Sequence, residues 1–203
     1  MLRLKVIDMK KFLSTAIILL MLTAQVEAAP FTREQLDKIF VDVEENFYRQ
    51  DDLTLNLNVE TLKEKFNGLV IPILQETMGT NDVSAMEHLF LIKDYKVFNK
   101  PSGDTFANIF GDYRVALVGV SEPNGGNFRA LSLYYTTPED KDDAIFTIWL
   151  MTAFVKSIAP EVNVQNLMNE LTAENSSGSV IIDDIKFSIT ADGNLNVLTV
   201  MPI

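Results

Sequence analysis

"DAIFTIWLMTAFVKSIAP", residues 143–160, is the most apolar stretch of the chain outside its N-terminus. Between residues 144 and 159, 12 of 16 side chains are apolar, and they are spread around the whole circumference of a helix. Such a helix belongs in a bilayer, in a protein core or against a partner. Sixteen helical residues reach only about 24 Å, which is short for a hydrocarbon core of about 30 Å, and Lys156 lies in the last turn. The pattern therefore favours a helix buried in a core.

The sequence around this helix predicts its two ends. "TTPEDKDD" precedes it, and we expect Thr137 to be the N-cap, with Pro138 at the first helical position. The acidic residues that follow suit the positive end of the helix dipole. Pro160 ends the helix, and residues 160–171 then predict a short amphipathic helix.

Two earlier segments also have a helical period. A helix over residues 33–49 is predicted after a capping box formed by Thr32 and Gln35. A second helix is predicted from about residue 60, with a kink or an end near Ile71 because Pro72 removes an amide donor, and with Gly79 as a stop. We expect both helices to cover the buried helix on the side that faces away from the sheet.

From Met86 onward the period of the apolar residues falls towards two, which is typical of strands. The short turns between the strands predict an antiparallel meander followed by a C-terminal hairpin. We therefore predict an α+β fold with an antiparallel sheet of five or six strands and helices packed on one face. Because a helix followed by strands occurs twice, a duplicated unit is a further possibility. The predicted strands cover residues 87–98, 104–110, 113–121, 127–135, 180–190 and 195–203.

The N-terminus resembles a secretory signal peptide. "MKKFLSTAIILLMLTAQVEAAP", residues 9–30, has two lysines, an apolar run and small residues at its end. The best cleavage site lies between Ala28 and Ala29, so residues 1–28 are predicted to be the signal peptide and residues 29–203 a single domain. The alternative is an uncleaved anchor. Either Met1 or Met9 fits as the start of translation.

The charge of the chain limits its partners. The full chain has a net charge of −11, and loss of residues 1–28 would leave 13 basic and 26 acidic side chains. Such a surface repels nucleic acid and anionic lipid, so we expect neither as a partner. There is no cysteine, hence no disulfide and no lipid-carrying cysteine. These features predict an acidic, soluble bacterial protein that is periplasmic or secreted, without stable membrane insertion.

Few side chains in the sequence suit catalysis. His88 is the only histidine, and we expect it on a strand, partly buried on the same face as Phe90. One histidine and no cysteine exclude the usual zinc sets, and no phosphate-binding or nucleophile-elbow motif occurs. We therefore predict no catalytic, cofactor-binding or metal-binding residue.

Carboxylates and polar aromatic residues leave some alternatives open. The acidic run of residues 139–143 is either a helix cap or a cation site, and acidic pairs also occur at Asp51 and Asp183. A carboxylate pair of the kind that glycosidases use can form in space from residues distant in sequence. A set of polar and aromatic side chains either lines a sugar-binding face or serves the strands and loops: Asn56, Asn58, Tyr134 and Tyr135.

The stretch "SGDTFANIFGDYRVALVGVSEPNGG", the capped apolar helix and "SIAPEVN" together resemble a group of small exported bacterial proteins. The resemblance covers roughly residues 60–203. Proteins of this group carry a signal peptide and a central antiparallel sheet and have no assigned activity. The resemblance thus implies the fold and the export, and it implies no catalytic residue.

The sequence favours an exported binding or interaction module over an enzyme, because most ionisable groups used in catalysis are scarce. Its partner is predicted to be a protein or another envelope component. The alternative is a hydrolase of envelope polymers that uses carboxylates alone, and a third possibility is a cation-dependent adhesion or assembly factor. Two carboxylates facing each other across a deep cleft would favour the enzyme, and an exposed apolar patch would favour the binding module.

Overall fold

The structure, a computed structural model, describes residues 30–39, 53–111, 113–173 and 176–203. The predicted signal peptide and the second part of the helix predicted over 33–49 lie outside these ranges. The described residues contain one antiparallel sheet in the order β1-β2-β3-β4-β7-β6-β5. The prediction of an α+β fold is confirmed, but the sheet has seven strands instead of five or six. They are β1 (Lys96–Lys100), β2 (Gly103–Phe110), β3 (Val115–Ser121), β4 (Phe128–Thr136), β5 (Ser179–Ile182), β6 (Ile185–Asp192) and β7 (Leu195–Pro202).

The additional strand comes from a two-residue turn inside a run predicted to be one strand. Asp183 and Asp184 have φ angles of 49° and 61°, and Ile182 pairs with Ile185 across them. Positive φ at both central residues is what a tight hairpin turn requires. Because two aspartates are a rarer choice there than Asn-Gly, the sequence did not indicate that residues 180–190 divide into β5 and β6.

Of the strand predicted over residues 87–98, only residues 96–98 are strand. A 3-10 turn (Ser84–Met86) leads into one helical turn, α3 (Glu87–Phe90), and the strand β1 begins only at Lys96. The Asn67 side chain explains why Ile92 does not join the sheet. Its amide donates to the Ile92 carbonyl at 3.0 Å and its oxygen accepts from the Ile92 amide at 2.9 Å. Both backbone groups of Ile92 are thereby satisfied outside a ladder.

Four further helices surround the sheet. They are α1 (described over residues 33–39), α2 (Val59–Met78), α4 (Lys141–Ile158) and α5 (Val164–Thr172). The capping box before α1 is confirmed, since the Gln35 amide donates to Thr32 Oγ1 at 3.1 Å and the Thr32 amide donates to Gln35 Oε1 at 3.0 Å.

The helix α2 continues through Pro72 and ends at Gly79, which has a φ of 65°. Of the two alternatives predicted near Ile71, a kink or an end, the end is wrong, whereas the predicted stop at Gly79 is confirmed. Both Pro72 and Gly68, whose carbonyl loses its partner, are exposed, so water can satisfy that carbonyl. The opposite side of α2 is held in the core by Leu62, Phe66, Val70 and Leu74.

The two faces of the sheet contribute to two apolar clusters. On the first face, α2, α4 and α5 pack over strand residues such as Leu117 and Leu131. On the second face, Phe31, Leu36 and Ile39 of the N-terminal segment pack against Val118 and its neighbours. The prediction that the helices pack on one face is thus wrong for α1. Its described residues, 33–39, cover the second face of the sheet because Val118 and the alternate residues on either side of it are apolar as well.

The apolar helix predicted within residues 143–160 is α4, and it lies in the core. Nine of its residues are buried, among them Ile148, Leu150 and Phe154. The helix α2 packs against it, but Phe66 of α2 also stacks on Phe110 of β2, so α2 lies beside α4 on the same face of the sheet and does not cover it from the far side as predicted. Within the described ranges, no helix has the length and apolarity needed to cross a membrane.

The strand order is compatible with a duplicated unit. The strands β1 to β4 follow α2, and β5 to β7 follow α4 and α5. The last strands of the two halves, β4 and β7, pair side by side at the centre of the sheet, and α2 contacts α4 above it. A two-fold axis between β4 and β7 would produce this arrangement.

The N-cap of α4 is Asp140 and not Thr137. Asp140 Oδ1 accepts from the amides of Asp142 at 2.8 Å and Asp143 at 3.0 Å. Thr137 instead joins the turn between β6 and β7, where its amide donates to the Asn194 carbonyl at 2.8 Å. The N-cap was predicted at the wrong residue because threonine and aspartate are both good N-caps. Which of them caps the helix depends on where the backbone turns into the helix, and the local sequence does not determine that.

This correction can be tested by substitution. Asp140→Ala should lower the free energy of unfolding by about 1 kcal/mol, because two helix amides lose their acceptor. Glu139→Gln, an exposed change one residue earlier, should alter it by less than about 0.5 kcal/mol. Urea unfolding of both variants measures the difference, and equal values for the two would contradict the assignment.

Candidate functional site

Most of the side chains singled out from the sequence have structural roles. Within the acidic run, Asp140 caps α4 and Asp143 pairs with Arg114, so this cluster serves the helix end and the sheet. The prediction for His88 is wrong, because it lies on α3 and is exposed. Asp51 lies outside the described residues.

The residues considered for a sugar-binding face do not come together. Tyr134 and Tyr135 are 3% and 2% exposed and point to opposite faces of the sheet. Burial raises the pKa of Tyr135, as expected for a phenol far from water. Asn58 caps α2 by accepting from the Thr61 amide at 3.0 Å. Of these four residues, only Asn56 is exposed, and it lies in a surface groove between residues 53–57 and the end of β7.

A shallow groove of about 340 Å³ opens between the extended segment 53–57 and the far end of β7. Two of the most exposed large apolar side chains of the described chain lie in it, Leu53 at 51% and Ile203 at 49% exposure. The segment is held in place because the Leu55 amide donates to the Phe128 carbonyl at 2.7 Å and the Phe128 amide donates to the Leu57 carbonyl at 2.8 Å. The groove is completed by Thr54, Lys65, Ile158, Asp183, Asp184, Ile185 and Pro202.

A second depression adjoins the groove on the other side of Asp183. This cleft encloses about 270 Å³ between α5 and the end of β5. Val162, Leu167 and Ile182 form its apolar lining. Its polar residues are Glu161, Asn163, Asn166, Glu170 and Asp183. The groove and the cleft thus share Asp183 and form one continuous area.

We call the four carboxylates of this area, Glu161, Glu170, Asp183 and Asp184, the acidic surface. All four are exposed, and the lining residues of the groove and cleft include one cation, Lys65. The area therefore combines exposed apolar side chains with a net negative charge. It suits a ligand that has apolar and basic groups in proximity.

The turn that carries Asp183 and Asp184 is strained. A non-glycine residue with positive φ is disfavoured, by roughly 1 kcal/mol or more for each residue, and Asn or Gly is the better choice in such a turn. Aspartate tolerates this conformation better than most residues, so the strain at the turn is small and would be relieved by Asn-Gly.

We expect the double substitution Asp183→Asn and Asp184→Gly to stabilise the fold. Asn-Gly relieves the positive-φ strain, so the free energy of unfolding should rise by about 1 kcal/mol. The change also removes the negative charges of Asp183 and Asp184. The double variant should therefore be more stable than the wild type but bind a basic ligand more weakly. Thermal unfolding compared with Glu64→Gln, at an exposed position of α2, measures the effect. A loss of stability in the double variant would contradict the strain.

One buried carboxylate lies elsewhere. Asp104 is 2% exposed at the start of β2 and accepts hydrogen bonds at 2.9 Å from the Asn99 side chain and from the Gly125 amide. These contacts tie β1 and the loop after β3 to β2. Both hydrogen-bond donors are parts of neighbouring strands and loops and the carboxylate is buried, so we assign Asp104 a structural role.

No group of three or more histidine or acidic side chains is placed to hold a metal ion in the part of the chain that the structure describes. Comparisons of the chain with protein families, with characterised protein sequences and with solved structures gave no match. The acidic surface and its two depressions are therefore the candidate functional site on geometry and chemistry alone.

Proposed function

We propose that the protein is an exported binding module that engages a partner through the acidic surface and its apolar groove. The observation that carries this proposal is the presence of exposed Leu53 and Ile203 beside Asp183 and Asp184 in one open groove. Apolar side chains exposed together, with a polar rim, are a common feature of interaction sites. The partner would present an apolar group next to basic groups.

The charge of the whole molecule supports a cationic partner. A net charge of −11 for the full chain repels acidic molecules and attracts basic ones from a distance, which speeds their encounter. The acidic surface then sets where they bind. Because this attraction acts through exposed charges, binding should weaken as the salt concentration rises.

The carboxylates of the site favour binding over hydrolysis. A general acid at neutral pH needs a raised pKa, which proteins obtain by burying the carboxyl group. Glu161, Glu170, Asp183 and Asp184 are all exposed, and the two aspartates of the groove are neighbours on one turn. A carboxylate hydrolase would also need a deep cleft around its two acidic groups, whereas the cleft that lies between Glu170 and Asp183 is open.

Export is the second element of the proposal. The basic and apolar N-terminus and the small residues before Ala29 support cleavage of a signal peptide and a location in the periplasm or outside the cell. Sequencing of the N-terminus of the protein recovered from cell envelope and medium tests this point. A mature chain that begins at Ala29 is expected, and a chain that retains residues 9–28 would contradict it.

The binding site can be tested by photocross-linking in cells. A photoreactive residue in place of Leu53 should give a specific cross-linked product, whereas one in place of Leu69, which is 38% exposed on α2, should not. Combining the Leu53 probe with Asp183→Asn, Asp184→Asn and Glu170→Gln should reduce the product at least severalfold. Equal products from positions 53 and 69, unaffected by the charge changes, would contradict the proposed site.

A further inference from the structure

The two edges of the sheet are protected to different degrees. Open edge strands invite pairing with other chains, and proteins commonly guard them with lysine, proline or a bulge. The edge strand β1, KVFNK, has Lys96 and Lys100 at its ends. The opposite edge strand β5, SVII, contains no charged residue and no proline. Ile181 at its centre is 61% exposed, the most of any large apolar side chain described.

The backbone of β5 has hydrogen-bonding groups that face away from the sheet. The Ile189 amide donates to the Gly178 carbonyl at 2.8 Å, which shows that Gly178 faces β6. Because the bonding residues of an antiparallel pair alternate, Val180 and Ile182 face β6 as well, whereas Ser179 and Ile181 face outward. An added strand can therefore pair with the amide and carbonyl of Ile181.

The surroundings of this edge select the charge of the added strand. The cleft between β5 and α5 begins at Ile182 and Asp183, and its opposite wall carries Glu170 on α5 and Glu161 in the turn that precedes α5. A second copy of this chain would bring its own acidic surface towards these carboxylates, which is unfavourable. A segment with lysine or arginine at alternate positions would direct its positive charges to the side of these carboxylates and its apolar side chains to the opposite face of the sheet, beside exposed Ile181.

We propose that an extended, basic segment of a partner protein pairs with β5 as an eighth strand of the sheet. This inference rests on the proposed function and specifies the partner and its conformation. Backbone hydrogen bonds along β5 supply part of the affinity, and the acidic surface supplies the preference for basic side chains.

An eight-residue peptide of alternating lysine and valine, acetylated and amidated, is the probe. Its binding to residues 29–203 is measured by fluorescence anisotropy at low salt. A matched peptide with methylated backbone nitrogens at its four central residues keeps the charge and loses the strand hydrogen bonds. Methylation should weaken binding at least roughly tenfold, because two or more hydrogen bonds are lost.

The variant Ile181→Pro provides the same test from the side of the protein. Proline removes an amide that faces outward, so the ladder with β6 is retained, and affinity should fall roughly tenfold relative to Ile181→Thr. Circular dichroism establishes whether the proline variant is folded. If it is not, the comparison of the methylated and unmethylated peptides alone tests strand pairing.

Equal binding of both peptides and by both variants would overturn strand pairing but leave the acidic surface as a binding site. Failure of the unmodified peptide to bind the wild-type protein at millimolar concentration would overturn the strand pairing and the cationic site together.

Discussion

Replacing Phe66 by alanine should lower the free energy of unfolding by about 3 to 5 kcal/mol, as expected for a large aromatic side chain removed from a core. Phe66 is fully buried on α2, and its ring stacks on Phe110 of β2 with 5.4 Å between the ring centroids. The substitution therefore removes contacts between α2 and the first face of the sheet. It leaves a cavity that the rigid strand β2 cannot fill.

The matched control lies one turn further along the same helix. Leu69 is 38% exposed, so Leu69→Ala should change the free energy of unfolding by less than about 1 kcal/mol. Chemical unfolding of the two variants tests whether α2 packs on the sheet through the face that contains Phe66. A larger loss for Leu69→Ala than for Phe66→Ala would contradict the orientation of the helix.

Gly119→Ala should destabilise the fold by about 1 to 3 kcal/mol, because it overfills the core. A Cβ atom at Gly119 would lie 2.6 Å from Leu131 Cδ2 and 2.8 Å from Phe128 Cε1. Both neighbours are fully buried side chains of β4, so neither can move aside without disturbing the core around it. The absence of a side chain at this point of β3 therefore makes room for the Phe128 ring.

Gly68→Ala is the control for this substitution. Gly68 lies inside α2, and a Cβ there would meet nothing within 4 Å, so alanine should raise the free energy of unfolding by about 0.5 to 1 kcal/mol. The two glycine substitutions thus have opposite expected signs, which thermal unfolding can read directly. Stabilisation by Gly119→Ala would mean that Phe128 does not pack over β3.

Much of the fold could be predicted because local patterns and tertiary packing agree. The buried helix α4, the capping box at Thr32 and the stop at Gly79 each depend on a few neighbouring residues. The prediction failed where a distant contact decides. The side chain of Asn67 keeps Ile92 out of the sheet, and Val118 belongs to a second apolar face that α1 covers.

The candidate site was harder to predict than the fold. In the sequence Asp183 belongs to one of several acidic pairs, and nothing in its local sequence links it to Leu53 or Glu170. These residues come together because β5 and β6 lie at the edge of the sheet, next to α5 and near the segment 53–57. The available signal was the position of two aspartates between two short apolar runs, which is consistent with a hairpin turn.

Amide hydrogen exchange at Ser179 and Ile181 tests the central claim most directly, namely that a basic partner segment binds as a strand beside the acidic surface. Both amides point away from β6 in the free protein according to the alternation of the β5 and β6 pairing. When the lysine and valine peptide saturates residues 29–203, exchange of the Ile181 amide, measured by NMR, should slow at least tenfold, with no comparable change at Val97 on the opposite edge. Unchanged exchange at Ser179 and Ile181 under saturating peptide would contradict the account.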